Sequence, residues 1–299
     1  MNNLRKFDTF QDYEEAELVK PAVSLIAEDD TVLFDQKDEE EEFGGLTVIY
    51  DIEDASNEVT LFNAGGGDSS ASGGESESSG GGAMPTSMII DGNEETPIGT
   101  WRFDTTGEHT VQYEFEDNTV PDNFFGFIHE ITEVEAGSDI VVVGANSFEE
   151  CDSITSVTLG NSITSISGSA FAGCASLESI VIPSGVTAIY GSTFNGCASL
   201  SSVTIPSGVT RIDAAAFGSC AFDSVVIPSG VTYIGEEAFS YCLSLSSVTV
   251  LATSVPYLGQ VAFQENATGR KIYVPSESVN AYKTNANWSE YASDIEAIQ

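Results

Sequence analysis

From about residue 120 onward the apolar positions of this chain recur with one long period, whereas before it they come in short alternating runs. The clearest periodic mark is a phenylalanine followed three positions later by a cysteine: Phe148/Cys151, Phe171/Cys174, Phe194/Cys197, Phe217/Cys220 and Phe239/Cys242. Successive copies are 23, 23, 23 and then 22 residues apart. A degenerate earlier copy pairs Phe125 with Ile128, and a later one pairs Phe263 with Asn266. A second marker keeps register with the first: Ile182-Pro183, Ile205-Pro206 and Ile227-Pro228, each followed by Ser-Gly-Val-Thr and then by Ile189, Ile212 or Ile234. So short a unit cannot bury its own hydrophobic face, and neighbours must stack to share a continuous core. The stretches Leu177 to Ile182, Leu200 to Ile205, Phe222 to Ile227 and Leu245 to Val250 alternate apolar with small residues, as short strands do, and proline ends the first three.

The resulting expectation is a mainly β chain, a solenoid of about seven turns of 22–24 residues, preceded by a β-rich lead-in and a small N-terminal α+β anchor module. The expected domains are 1–63 (anchoring and assembly), 64–83 (linker), 84–119 (lead-in and N-terminal cap), 120–271 (solenoid) and 272–299 (C-terminal cap).

In the front part, Asp8 or Thr9 can cap a helix running to Leu18, with Phe10, Tyr13 and Leu18 near one face and Lys20-Pro21 as its stop. Residues 22–27 and 31–34 read as strands, and 46–52 with 58–62 as a second alternating pair. Residues 64–83 hold Gly, Ser, Ala, Asp and Glu alone, which cannot offset the entropy of ordering, so a flexible tether is expected. A phosphate-binding loop would need a flanking strand and helix and usually a Lys. After it, 87–90, 101–103 and 109–115 read as strands, with Thr105-Thr106-Gly107-Glu108 as the turn of a hairpin joining the last two.

Charge sharpens the division. The chain has 47 acidic and 9 basic residues, a net charge of -38. Residues 1–150 contribute -31 of this and residues 151–299 contribute -7. Such a charge repels phosphate backbones and anionic leaflets, so nucleic acid and membrane surfaces are excluded as partners. No apolar run reaches spanning length, and Met1 to Phe10 lacks the apolar core of a secretory signal, so a Sec-exported precursor is not expected. The runs Lys37 to Glu42 and Asp91 to Glu95 cluster oxygen ligands, but neither has the spacing of a calcium loop, and both read as solvated loops. No metal site and no cofactor is expected.

All five cysteines share one slot of the repeat, which predicts an inward ladder of small apolar side chains alongside the phenylalanines. Disulfides fit poorly with parallel side chains and an odd count, and zinc with a linear stack. His109 and His129 are the available imidazole bases, and neither lies in a recognisable nucleophile arrangement, so no catalytic set and no enzyme are expected. Binding residues are sought instead in the variable outward slots, and Tyr190, Arg211, Asp213 and Tyr233 are the candidates, since Tyr and Arg dominate energetic contacts.

The unit, which reads like IP-SGVT-I-xxxAF-xxC-xL-xxV-xIP, resembles the BspA-like leucine-rich repeats over residues 120–275. The tail, Ile272-Tyr273-Val274-Pro275, Val279 to Tyr282 and Trp288 to Ile298, is similar to the caps that follow such repeats. The opening, with Phe7, Phe10 and Tyr13 and then Leu18 to Ile26, resembles virion proteins of tailed phages of gut Bacteroidales, including crAss-like phages. Those resemblances imply a virion structural protein, a head fibre or capsid decoration assembled in the host cytoplasm. Residues 1–63 would bind capsid or another virion protein and the solenoid would adhere to a host surface protein, glycan or mucus. Self-association is expected of a fibre, a trimer among the forms. A bacterial cell-surface adhesin and a tail fibre or receptor-binding protein are the alternatives.

Overall fold

The computed structural model describes residues 43–63 and 84–299. The expected helix near Leu18, the strands at 22–27 and 31–34, the charge run at 37–42, the phage-like opening and the tether at 64–83 lie outside the described residues.

Eight strands lead into the repeats: β1 (Leu46–Ile52), β2 (Val59–Thr60), β3 (Ser87–Ile90), β4 (Asn93–Glu95), β5 (Thr100–Trp101), β6 (Gly107–Glu114), β7 (Thr119–Val120) and β8 (Ile131–Ala136). Longer and two-residue strands then alternate: β9 (Val142–Val143), β10 (Ser156–Leu159), β11 (Ser165–Ile166), β12 (Ser179–Val181), β13 (Ala188–Ile189), β14 (Ser202–Thr204), β15 (Arg211–Ile212), β16 (Ser224–Ile227), β17 (Tyr233–Ile234), β18 (Ser247–Val250), β19 (Tyr257–Leu258) and β20 (Lys271–Val274). A short helix α1 (Val279–Thr284) and strand β21 (Ile295–Ala297) close the chain. The chain is thus mainly β and carries the expected solenoid.

Each turn contributes one strand to each of two sides, and like strands pair in parallel, as Val225 with Val248 and Val248 with Ile272 on the longer side. The core between them is a column of phenylalanines. Phe125, Phe148, Phe171, Phe194, Phe217, Phe239 and Phe263 stack ring on ring, with centroids 4.9–5.9 Å apart. Backbone groups beside the column are paired from turn to turn: Phe171 N–H donates to Thr193 O at 3.0 Å and Phe194 N–H to Ala216 O at 2.9 Å, so no buried donor there is orphaned.

Winding so tightly requires two left-handed residues per turn. One slot holds Asn123, Asn146, Ser169, Ser192, Ala215, Glu237 and Val261, all at positive φ. The other holds Phe127, Glu150, Gly173, Gly196, Ser219, Tyr241 and Glu265. Asn and Gly occupy that region at little cost, whereas β-branched Val261 at φ 50° is strained.

The lead-in departs from expectation in ways set by long-range pairing. β1 does not pair with β2; it lies at the middle of a six-stranded sheet of order β10-β8-β1-β6-β3-β4, antiparallel to both β6 and β8. Residues 46–63 therefore fold with the strands that follow residue 84, and the expected boundary at residue 63 does not separate them. β5 pairs with β2 rather than forming a hairpin with β6, because β6 is occupied on both edges by β1 and β3. Asp91 to Glu95 is solvated as expected, with Asp91 to Glu94 exposed, but forms the turn and second strand of the β3–β4 hairpin rather than a loop: Asp91 and Gly92 both have positive φ, 49° and 81°, as a two-residue turn demands.

Both ends of the phenylalanine column are covered by aromatics. At the front, Phe62 stacks on Phe124 at 4.7 Å and Tyr113 meets Phe125 edge-on. The Tyr50 and Tyr113 hydroxyls lie 3.0 Å apart and both donate to Leu61 O, and burial pushes both phenols up from their ordinary acidity. At the back, Tyr291 packs edge-on against Phe263, Trp288 Nε1 donates to Pro256 O at 2.8 Å, and Tyr282 donates to Ala252 O at 2.7 Å. Arg270 clips this cap, donating to Phe263 O and, at 2.7 Å, to Asp294 while lying over the Tyr291 ring. An exposed solenoid end needs such a cover.

Candidate functional site

The cysteine slot does more than fill space. Each Sγ is buried, unpaired and aimed at a backbone carbonyl of the preceding turn: Cys151 to Phe125 O at 3.0 Å, Cys174 to Phe148 O at 3.3 Å, Cys197 to Phe171 O at 3.2 Å, Cys220 to Phe194 O at 3.2 Å, and Cys242 to Phe217 O at 3.1 Å. Asn266, in the same slot of the last turn, donates from Nδ2 to Phe239 O at 2.8 Å. The slot is a donor position that satisfies the phenylalanine carbonyl, and Asn266 was the visible sign of it. Burial pushes the Cys151 and Cys197 thiols up to about 12 and Cys242 up to about 11. Since the thiolate is the nucleophile, none of these is poised for covalent chemistry near neutral pH.

The two histidines are also engaged. His109 is buried against Phe103, with Nδ1 2.7 Å from Asp91 Oδ2 and Nε2 3.0 Å from Thr105 O. Asp91 also accepts from Thr110 N–H at 2.9 Å, so this group pins the β3–β4 turn to β6. His129, on the surface, pairs with Asp152 at 2.7 Å.

What the repeat leaves variable points outward from the two-residue strands. Behind each outward residue sits a constant buried one: Ile189, Ile212, Ile234 and Leu258. The outward column runs through Thr119, Val142 and Ser165, which are in register in one sheet, and then Ala188, Arg211, Tyr233 and Tyr257, in register in the next. Small side chains give way to large ones toward the C-terminal turns.

Parallel register places those large side chains face to face. The Arg211 guanidinium lies 4.7 Å from the Tyr233 ring centroid, and the Tyr233 and Tyr257 rings stack at 5.1 Å with 8° between planes. Arg211 Nε donates to Asp213 Oδ1, an interaction that raises the affinity of the guanidinium for its proton and neutralises its charge locally. Tyr190 stands one turn before Asp213 in the neighbouring column and is 43% exposed; Tyr257 is 51% exposed. Along that neighbouring column side chains vanish at Gly235 and Gly259, where successive turns approach so closely that a Cβ on Gly235 would sit 2.5 Å from Ala214 N.

The structure therefore brings Arg211, Asp213 and Tyr233 together, sets Tyr190 beside them, and adds Tyr257. Tyr257 precedes Leu258 as Tyr233 precedes Ile234, so extending the slot to leucine at a spacing of 24 residues would have found it. Arg211 and Tyr257 are exposed and Tyr233 between them is half-buried, so that the stack presents hydroxyls and ring edges and holds no nucleophile. Tyr and Arg side chains of this size offer large contact area at small entropic cost. Among the described residues no group of three or more His, Cys, Asp or Glu could hold a metal ion, and no helix is long and apolar enough to cross a membrane.

The family model described as BspA type Leucine rich repeat region matches this chain in six copies, over residues 118–245 and 210–295. Among solved structures, the chain is similar to a leucine rich cell surface protein from Faecalibacterium prausnitzii A2-165, at 30% identity over 44% of this chain and 44% of that one, with a TM-score of 0.38. It is also similar to the leucine rich repeat protein of T. pallidum, at 26% identity over 46% of this chain and 64% of that one, TM-score 0.41. A leucine-rich repeat protein from Bacteroides ovatus ATCC 8483 is similar at 27% identity over 46% of this chain and 48% of that one, TM-score 0.35. The match spans less than two thirds of the length of each of these proteins. No curated protein matches the chain.

Proposed function

This chain belongs to the BspA type leucine-rich repeat family, and from that premise we propose that it is a non-enzymatic adhesion module displayed at a bacterial cell surface. The observation that carries the reading is the contrast between columns. Inward slots repeat the same Phe, Cys and Ile, while one outward column concentrates Arg211, Tyr233 and Tyr257 in a single exposed stack. Large aromatic side chains held rigidly in water are what a binding surface uses. The paired histidines and buried thiols, spent on structure, leave the described residues no evident catalytic set. Thus the solenoid supplies a scaffold whose interior is constant and whose outward slots carry the specificity.

A second reading takes up the resemblance of residues 7–26 to phage virion proteins: the chain would then be a self-associating capsid or fibre component, bound to capsid or another virion protein through residues 1–63. One experiment separates the two. An antibody raised against residues 84–299 is applied, with gold label, to intact producing cells and to purified virions. The cell-surface reading expects label on intact cells and none on particles. Label confined to particles overturns it in favour of the virion reading.

A further inference from the structure

The tyrosine stack has one closed end and one open end. β19 is the last strand of its sheet, whose order is β13-β15-β17-β19, so Tyr257 has a strand neighbour on one side only. Both faces of Tyr233 are occupied, by Arg211 at 4.7 Å and by Tyr257 at 5.1 Å. The outer face of the Tyr257 ring is where the column stops; the ring is half exposed, while the C-terminal cap covers the backbone on either side of it, Trp288 Nε1 donating to Pro256 O at 2.8 Å and Asn287 Nδ2 to Leu258 O at 3.0 Å.

We propose that this open face receives a lysine or arginine side chain of a partner protein, so that the solenoid docks basic protein surfaces; the proposal rests on the adhesion reading and names its partner class. Three observations converge on it. The stack already accepts a guanidinium at its closed end, which shows that its geometry suits a planar cation. The charge of that guanidinium is taken up by Asp213, leaving the stack without net positive charge, and the next turn exposes Glu236 and Glu237. Finally, residues 151–299, which carry the stack, have a net charge of -7, which favours cationic over anionic surfaces. The negative face of the Tyr257 ring then supplies the local contact, and the acidic chain supplies the approach.

The test uses the full chain at about physiological salt, where weak surface charge effects are screened, with hexa-arginine, the uncharged isostere hexa-citrulline, and cellohexaose as probes in calorimetric titration. The variants are Tyr257→Leu, which keeps apolar bulk without an aromatic face, and Tyr257→Phe, which keeps the face. Expected are binding of hexa-arginine but not hexa-citrulline, a roughly 2- to 5-fold weakening in Tyr257→Leu, and wild-type affinity in Tyr257→Phe. Unchanged hexa-arginine affinity in Tyr257→Leu overturns the proposal, because bulk charge alone is then acting. Cellohexaose binding that is lost in Tyr257→Leu, with hexa-arginine unaffected, overturns it in favour of a neutral glycan. Retention of the full chain on epithelial cells tests the underlying reading separately: retention without a Tyr257 effect on hexa-arginine removes only the cation assignment, and its absence removes the adhesion reading itself.

Discussion

Truncating one ring in the middle of the phenylalanine column should cost an amount that can be apportioned. Phe194 is fully buried, with Phe171 at 5.9 Å and 2° and Phe217 at 5.4 Å and 12°. Phe194→Leu keeps most of the apolar burial and removes two aromatic pairs, each contributing about 0.5–1.5 kcal/mol beyond area, so a loss of roughly 1–3 kcal/mol follows. Phe194→Ala adds a cavity that the stacked turns cannot collapse around and should cost about 3–5 kcal/mol. Because each turn touches only its neighbours, the damage should stay local. Amide hydrogen exchange is the fitting assay, since long repeat arrays need not unfold in one step. Protection should fall most for Gly173 and Phe194, whose N–H groups donate to Asn195 O and Ala216 O, and little for Phe263 near the C-terminal cap. Equal protection in Phe194→Leu and wild type, or an even loss across all turns, would refute the column as the main stabilising feature.

Four further outcomes are expected. Val261→Asn, at φ 50°, should relieve left-handed strain and stabilise the chain by about 1 kcal/mol in chemical denaturation, in line with Asn123 and Asn146 in the same slot. Gly235→Ala should destabilise by at least about 2 kcal/mol in the same assay, because the new Cβ would meet backbone atoms of residues 213 and 214 rather than a side chain that could swing away. The buried thiols have raised folded-state pKa values, so their contribution is fully present below the ordinary thiol value of 9.0 and is lost as pH rises toward about 12; thermal melts from pH 8 upward should show falling stability, and native cysteines should resist alkylation at pH 8 until the chain is unfolded. Asp294→Asn removes the carboxylate facing the buried Arg270 guanidinium, and a loss of about 1–3 kcal/mol, discounted because Asp294 is partly exposed, should appear as fraying of the C-terminal cap in hydrogen exchange.

Much of the solenoid could be read from spacing alone, because Phe, Cys and Ile return at fixed intervals and a short unit can bury them in few ways. The lead-in could not be read that way. Leu46 to Ile52 alternates clearly enough to announce a strand, yet its partners Tyr113 and Ala136 stand more than sixty residues on, and alternation says nothing of which strands meet. Asp91-Gly92 is a strong hairpin signal that its acidic neighbours obscured. The donor role of the cysteines depends on a carbonyl one turn away, hidden from composition except where Asn266 replaces Cys. The outward stack was partly visible: Arg211 and Tyr233 share a slot, but only parallel register shows that they stack, and Tyr257 escaped through a longer turn and a leucine.

Whether the outward stack is a binding surface is tested most directly by retention of the labelled full chain on intact epithelial cells, compared with an Arg211→Ala/Tyr233→Ser/Tyr257→Ser variant. All three positions point away from the core, so the circular dichroism spectrum should be unchanged. Retention of the wild type and loss of at least about 10-fold in the variant, in keeping with hot-spot residues worth over 1 kcal/mol each, is the predicted result. Equal retention of the two chains would contradict the account.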